Sequence, residues 1–273
     1  MIIWSDGALR DADSARVSVF DHGLTVGDGV FETLKAADGR AFAMTRHLAR
    51  LASSARLLGL PEPDLDEVRR ACEAVLAANR MPLGRLRVTY TGGIAPLGSD
   101  RGDTRPTLVV ALAEHTAPAP ATAAVTVPWT RNERGALVGA KSTSYAENVV
   151  ALAHARSHGA TEALFANTVG ALCEGTGSNV FVVLDGELHT PALSSGCLPG
   201  ITRALVVEWA GAEETELPFD VLERAEEVFL TSSLRDVQAV RALDGRQLPG
   251  APGPVTAKTT QIFEERSAAD IDP

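Results

Sequence analysis

Phe31-Glu32-Thr33-Leu34-Lys35 and Ala41-Phe42-Ala43-Met44, joined through Asp38-Gly39, decide the class of fold. Two short runs separated by an Asp-Gly pair read as a β-hairpin, because the favoured tight turn needs residues that tolerate positive φ. The period then changes. Leu48, Leu51, Ala55 and Leu58 recur at helical spacing from His47 to Leu58, and Gly59 and Pro61 stop the run. A second helix carries Leu65, Val68, Cys72, Val75 and Leu76, and strands follow at Leu86 to Tyr90 and Leu108 to Leu112.

The same alternation of hairpins and grouped helices continues. Strands are expected at Val125 to Val127, Glu162 to Ala166, Val180 to Leu184 and Val228 to Leu230, with turns at Asp185-Gly186 and Asp244-Gly245. Helices are expected from about Tyr145 to Ser157, from near Ile201, and from about Val255 to Arg266. Ser267 to Pro273 reads as a frayed polar tail. The class is therefore α+β rather than a regular βαβ array. The proline-stiffened stretch His115 to Ala121 has linker composition, which puts an N-terminal lobe at 1–116, a linker at 117–121 and a C-terminal lobe at 122–273.

Composition excludes several functions. With 273 residues, 45% of them hydrophobic, the chain is long enough for two lobes and too apolar for a disordered protein. Its net charge of −10 disfavours a nucleic-acid partner, since phosphate neutralisation needs a basic face. Cys72, Cys173 and Cys197 form no C-x-x-C pair, so a reducing compartment is expected. The opening residues lack a basic stretch followed by an apolar one, and no run approaches about 18 apolar residues. A cytoplasmic protein with no membrane partner is the expectation.

Common catalytic signatures are missing. Lysine stands only at 35, 141 and 258, never after a glycine, which removes a P-loop. Gly27-Asp28-Gly29 begins a dinucleotide fingerprint that Glu32 then breaks. No G-x-S-x-G occurs. His154 and His158 sit four apart, but without the H-E-x-x-H glutamate or a third ligand they read as surface imidazoles, and no metal is expected.

What remains is a set of groups suited to one cofactor. Lys141 lies among small polar residues ahead of an apolar helix, where an amine can be partly desolvated and made nucleophilic. Glu174 precedes the apolar strand after Ser178-Asn179. Leu198-Pro199-Gly200-Ile201-Thr202 opens a helix, and free N–H groups at a helix start attract anions. Thr231-Ser232-Ser233 adds hydroxyls at a strand exit, and Arg50 adds a charge. An amine, a carboxylate, a helix N-terminus and hydroxyls are what a pyridoxal phosphate site requires.

The chain resembles the class IV, fold-type IV, pyridoxal-phosphate family of branched-chain aminotransferases, D-amino-acid transaminases and aminodeoxychorismate lyases. The likeness runs nearly end to end, through Gly27 to Thr33, His47 to Leu51, Lys141 with Tyr145 and Asn148, Glu174 to Asn179, Leu198 to Arg203, and Ser232-Ser233. It implies two mixed α/β lobes with pyridoxal 5'-phosphate between them, in a homodimer. It further implies a Schiff base on Lys141 and a phosphate held by Arg50, Gly200, Ile201, Thr202 and Ser232 or Ser233. Glu174 would hydrogen-bond the pyridine nitrogen, Leu198 would pack on one ring face, Tyr145 would approach the phenolic oxygen, and Asn179 would shape the wall.

For the reaction, Ser233 to Gln238 and the loop from Tyr90 to Arg101 look like the corresponding segments of lyase-like members. Phe31 and Thr33 stand where D-amino-acid and branched-chain enzymes respectively carry other residues. Arg101 and Arg235 are the candidate partners of two substrate carboxylates, since a guanidinium fork suits a carboxylate. The resulting expectation is a 4-amino-4-deoxychorismate lyase of folate biosynthesis, acting on a small amino substrate and releasing pyruvate and 4-aminobenzoate. The alternatives are transamination of D- or branched-chain amino acids, and a non-catalytic pyridoxal-phosphate-binding protein.

Overall fold

The computed structural model describes residues 1–273 and divides into two compact units. The first comprises Met1–Thr116, Ala140–Ser144 and Ile271–Pro273; the second comprises Ala117–Gly139 and Tyr145–Asp270. The segment holding Lys141 thus belongs with the first unit, whereas the sequence boundary assigned everything from 122 onward to the second. The reason is backbone pairing that composition does not reveal: Phe31 N–H donates to the Lys141 carbonyl at 2.9 Å and Thr143 N–H to that of Gly29 at 2.8 Å.

The first unit is built on β1 (Ile2–Ser5), β2 (Ala8–Asp11), β3 (Gly29–Ala37), β4 (Arg40–Ala41), β5 (Leu83–Thr91) and β6 (Thr107–Glu114). They form one antiparallel sheet in the order β2-β1-β6-β5-β3-β4. Its helices are α1 (His22–Thr25), α2 (Met44–Leu57) and α3 (Leu65–Ala78). Asp38 and Gly39 both take positive φ, as the Asp-Gly turn requires. Strand alternation then sorts the sheet into two faces. Val30, Leu34 and Ala36 of β3 and Leu86, Val88 and Tyr90 of β5 join Leu48, Leu51, Val68, Cys72 and Val75 of the helices in one buried core. Phe31, Thr33 and Arg87 alternate to the other face.

Two expectations change here. α2 begins at Met44, three residues ahead of the apolar stripe, and its N-cap Ala43 offers no side-chain acceptor. Asp272 supplies one instead: its carboxylate accepts from Thr45 N–H at 2.8 Å and Thr45 Oγ1 at 2.6 Å. The frayed tail is therefore a correction, because Ser267 to Ala269 are helical and Ile271 accepts from Ala43 N–H.

The second unit contains β7 (Ala121–Arg131), β8 (Glu162–Asn167), β9 (Leu172–Gly175), β10 (Asn179–Leu184), β11 (Glu187–Pro191), β12 (Glu213–Thr215), β13 (Glu227–Ser232), β14 (Asp236–Leu243) and β15 (Arg246–Gln247). The sheet runs β12-β11-β10-β13-β14-β7-β8-β9, with β15 on β14. It is mixed, the parallel pairs being β11/β12, β14/β7 and β7/β8. Its helices are α4 (Ala146–Ser157), α5 (Ile201–Ala210), α6 (Val221–Arg224) and α7 (Pro254–Ala269). Leu164, Val180, Val182 and Leu230 pack with Leu217, Val221 and Leu222, while Ala151 and Ala155 of α4 pack on Val125, Val127 and Phe165. α7 starts on Pro254 at a position where the missing N–H costs nothing. The buried Glu227 carboxylate accepts from Val255 and Thr256 N–H at 3.0 and 2.7 Å. Both units mix helices with hairpin-connected strands, an α+β architecture.

Candidate functional site

In the first unit a buried charge cluster lies between α2 and the core face of β3. His47 and Arg50, three apart on α2, share the face that meets β3. Arg50 donates through Nε and Nη2 to the two Glu32 oxygens at 2.8 and 2.7 Å, and His47 Nδ1 meets Glu32 Oε2 at 2.6 Å. Burial alone would raise the Glu32 pKa, but the Arg50 guanidinium and His47 outweigh it and hold the carboxyl at about 2. Burial also lowers the His47 pKa against the pull of Glu32. A neutral imidazole then donates its Nδ1 proton to the carboxylate. The result is a guanidinium locked in plane.

Lys141 is positioned by its neighbours' backbone. Its N–H donates to Ser54 Oγ at 3.1 Å, Ser142 forms a bridge to Val30, and Thr143 Oγ1 donates to the Gly27 carbonyl at 2.8 Å. Gly27 takes φ +70, and a Cβ there would meet Ser144 Oγ at 2.8 Å, so this turn needs glycine. The Lys141 amine lies 4.4 Å from the Phe31 ring centroid. The Arg87 guanidinium stacks on the same ring at 3.4 Å, and Thr33 faces Arg87 across the β3/β5 ladder. Phe31, Thr33, Arg50 and Lys141 are thus grouped within one unit.

Arg101 belongs to a different arrangement. It grips Asp28 through Nε and Nη2, both at 2.7 Å, and donates to the carbonyls of Gly59 at 2.6 Å and Leu58 at 3.2 Å. Its hydrogen bond holds the Asp28 carboxyl below the usual carboxylate range. The fork expected for a substrate carboxylate is spent on tying the 92–106 loop to the start of β3.

In the second unit, Glu174 of β9 accepts from Leu198 N–H at 2.9 Å through Oε2, and its Oε1 lies 3.3 Å from Arg131 Nε. Arg131 is itself stacked on Phe165, 4.1 Å from the ring centroid. Asn179, the first residue of β10, donates to the Leu198 carbonyl at 2.9 Å and pairs in register with Thr231. A Cβ on Gly200 would come within 2.0 Å of Asn179 Oδ1, so glycine is required where α5 meets β10. Leu198, Asn179, Gly200 and Glu174 therefore form one cluster.

This cluster suits an anion. α5 starts at Ile201 with no side-chain cap and no acidic residue in its first turn, which leaves N–H groups and the positive end of the helix dipole at Gly200, Ile201 and Thr202. Thr231 Oγ1 is buried without a hydrogen-bond partner, and Ser232 and Ser233 follow it at the end of β13. A carboxylate suits the pyridine nitrogen of pyridoxal phosphate, and an uncapped helix start with nearby hydroxyls suits its phosphate. Tyr145 is the N-cap residue of α4, and Asn148, one turn on, donates to the Thr176 carbonyl.

Arg235 is also committed elsewhere. It donates to Gln238 Oε1 and to the Thr161 carbonyl, and lies 3.7 Å from Glu162. The thiols of Cys173 and Cys197 are buried, and that burial pushes both pKa values up, leaving them protonated and unreactive.

Several residues escaped the sequence reading. Glu32 and His47 were noted only as parts of motifs, and Arg87 and Arg131 were not singled out. Glu162, 1% exposed, accepts from Thr176 N–H at 2.9 Å and Ser178 Oγ at 2.8 Å, fixing the loop between Glu174 and Asn179. An acid at the head of an apolar strand was the available signal for Glu162.

Glu32 gives a test of this geometry. Its depressed pKa makes its contribution to stability complete above about 4.5, its ordinary value, and lost as pH falls toward about 2. Glu32→Gln leaves the Arg50 charge buried without its anion, a loss of about 3 to 5 kcal/mol at neutral pH. Urea unfolding at pH 7 and pH 3 checks this: the gap between wild type and variant is expected to shrink at the lower pH.

The family model for amino-transferase class IV matches residues 29–243. A bifunctional aminodeoxychorismate lyase / D-amino acid transaminase of Mycobacterium tuberculosis is 33% identical, over 92% of this chain and 94% of that protein. The crystal structure of Escherichia coli branched-chain amino acid aminotransferase superposes with a TM-score of 0.91 at 29% identity, covering 97% of this chain and 93% of that one. A hypothetical aminotransferase from M. tuberculosis in its PLP-bound form gives 0.88 at 30% identity, covering 99% and 100%. With its motifs, its fold and more than half its length matched, the chain belongs to the class IV aminotransferase family of pyridoxal-phosphate-dependent enzymes.

Proposed function

We propose that this enzyme transfers amino groups between an α-amino acid and a keto acid. The observation that carries the reading is Glu174, bracketed by Leu198 N–H and Arg131 in the same cluster as the uncapped start of α5. Arg50, Lys141, Glu174, Gly200, Ile201, Thr202 and Ser232 or Ser233 would hold the cofactor. When bound, pyridoxal phosphate supplies a sink for the electron pair left at the substrate α-carbon. Glu174 would accept a hydrogen bond from the pyridine nitrogen and favour its protonated form. Arg50, held flat by Glu32, and the α5 N–H groups neutralise the phosphate. Lys141 Nζ would hold the cofactor aldehyde and, as a free amine, would carry the proton off and back at the substrate α-carbon. Tyr145, Asn179 and Leu198 line the ring, and Phe31 and Thr33 border the substrate.

Transfer is preferred to the lyase reaction because Arg101 and Arg235, the two expected carboxylate partners, are engaged within the chain. The lyase is the second reading, supported by the M. tuberculosis relative whose name joins both activities. Cofactor-loaded enzyme given D- and L-amino acids, branched-chain ones included, with 2-oxoglutarate or pyruvate is expected to form the matching keto acid. 4-Aminobenzoate and pyruvate from aminodeoxychorismate, without any transfer, would replace the first reading with the folate-pathway lyase. Neither product from a colourless protein would favour a non-catalytic fold.

The reading includes a homodimer and a cytoplasmic location. No helix is long and apolar enough to cross a membrane, and all three cysteines are free and buried, as suits a reducing compartment. Val19, Phe20, Leu24, Ile94 and Leu97 expose 69, 48, 66, 62 and 74% of their surface. The Ala95 N–H to Phe20 carbonyl bond of 3.2 Å joins their two segments. An apolar patch of this kind marks an association surface. Ile94→Asp with Leu97→Asp is expected to give a monomer by light scattering where wild type gives a dimer.

A further inference from the structure

At the far edge of the second unit's sheet, β12 runs parallel to β11 with Glu213 directly opposite His189. Glu187, two residues before His189, points to the same face of β11 by strand alternation. The ligand-capable atoms of Glu187, His189 and Glu213 all lie within 4.8 Å of one another. They line a half-open cavity of about 600 Å³, whose lining also includes Gly211 after α5 and Val255 and Thr259 of α7.

His189 is the informative member. Its Nδ1 is shielded from solvent and has no hydrogen-bond partner, which is unusual for a buried ring nitrogen. Glu213 Oε2 lies 3.5 Å away without forming a hydrogen bond to it. That spacing matches another geometry: two ligands each at about 2.0 to 2.1 Å from a tetrahedral zinc are about 3.4 Å apart. Glu187 is exposed, so its side chain closes the remaining gap by a change of rotamer at little cost.

We infer that Glu187, His189 and Glu213 form a binding site for a divalent cation of the zinc class, with water from the cavity completing the shell. One imidazole and two carboxylates are the nitrogen-and-oxygen set that zinc accepts, and calcium or magnesium would favour oxygen alone. The two carboxylates balance the ion's charge. Lys258 lines the same cavity and opposes the ion, but its four-carbon stem lets the ammonium withdraw to solvent. Bound there, the ion bridges the three-residue edge strand β12 to β11 and pins the junction after α5. This site was not legible in the sequence, where Glu213 stands 24 residues beyond His189 with no ligand spacing around it.

The test is calorimetric titration of ZnCl₂ into chelator-treated, cofactor-loaded enzyme freed of excess pyridoxal phosphate, with thermal unfolding alongside. The expected result is one equivalent bound per chain and a higher unfolding midpoint, with affinity at least about tenfold weaker in His189→Gln and in Glu187→Gln. Glu187 is exposed, so that second variant folds normally and separates loss of a ligand from loss of structure. His158→Ala is the control, because the rings of His154 and His158 lie 4.3 Å apart at the end of α4 and offer a competing pair; it is expected to bind zinc like wild type. No uptake, uptake unchanged by His189→Gln, or uptake lost in His158→Ala would overturn the inference.

Discussion

Lys141→Ala is expected to lower turnover by about 10⁴-fold or more. The amine is asked to do two things that no neighbour can take over: to hold the cofactor aldehyde and to carry the proton at the substrate α-carbon. Lys35 and Lys258 are the only other lysines, and neither shares the Gly29 to Phe31 pairing that seats residue 141. The fold should survive, because the backbone bonds of residue 141 to Phe31 and Ser54 and the bonds of Thr143 to Gly27 and Gly29 persist in alanine. The checks are kcat under saturating amino donor and retention of cofactor after gel filtration. Pyridoxal phosphate should be lost more readily from the variant. Wild-type turnover in it would remove Lys141 from the chemistry altogether.

The second large effect concerns Glu174. Alanine there removes the acceptor proposed for the pyridine nitrogen, with an expected fall in kcat of about 10² to 10³-fold, the range seen when one preorganised electrostatic partner is deleted. It also strands Leu198 N–H and leaves Arg131 beside Phe165 with only the exposed Glu147 as an anionic partner, a stability cost of about 1 to 3 kcal/mol. Activity and stability are separated by Glu174→Gln, which keeps an oxygen for Leu198 N–H and loses the negative charge. If the charge matters, glutamine is nearly as slow as alanine while recovering stability. A glutamine variant with wild-type kcat would reduce Glu174 to a scaffold residue.

How much of this was legible depends on the distance over which each feature is encoded. The Asp38-Gly39, Asp185-Gly186 and Asp244-Gly245 turns each need positive φ at both residues, a local demand met in all three. The stripe Leu48, Leu51, Ala55 likewise predicts α2. What pairs with what is a question of register. Glu32, Arg50 and His47 meet only because β3 and α2 present particular faces to each other, and Arg131 reaches Glu174 across the β8/β9 edge of the sheet. Arg101 and Arg235 show the same limit from the other side. A guanidinium looks equally available in a sequence whether it faces substrate or, as here, Asp28 and Gln238. The segment 140–144 is the sharpest case, since its place beside Gly27 to Phe31 is set by backbone bonds and by the Thr143 and Ser144 hydroxyls, whose acceptors are main-chain carbonyls distant in the sequence.

The most direct test of the central claim is a single turnover without an acceptor. Cofactor-loaded enzyme is mixed with an excess of one amino acid, and the keto acid is measured together with the loss of the bound cofactor's visible absorbance. Amino transfer predicts one keto acid per chain, bleaching on the same time course, and recovery of the absorbance when 2-oxoglutarate or pyruvate is added. Absorbance unchanged by every D- and L-amino acid tested, with no keto acid formed, would contradict it.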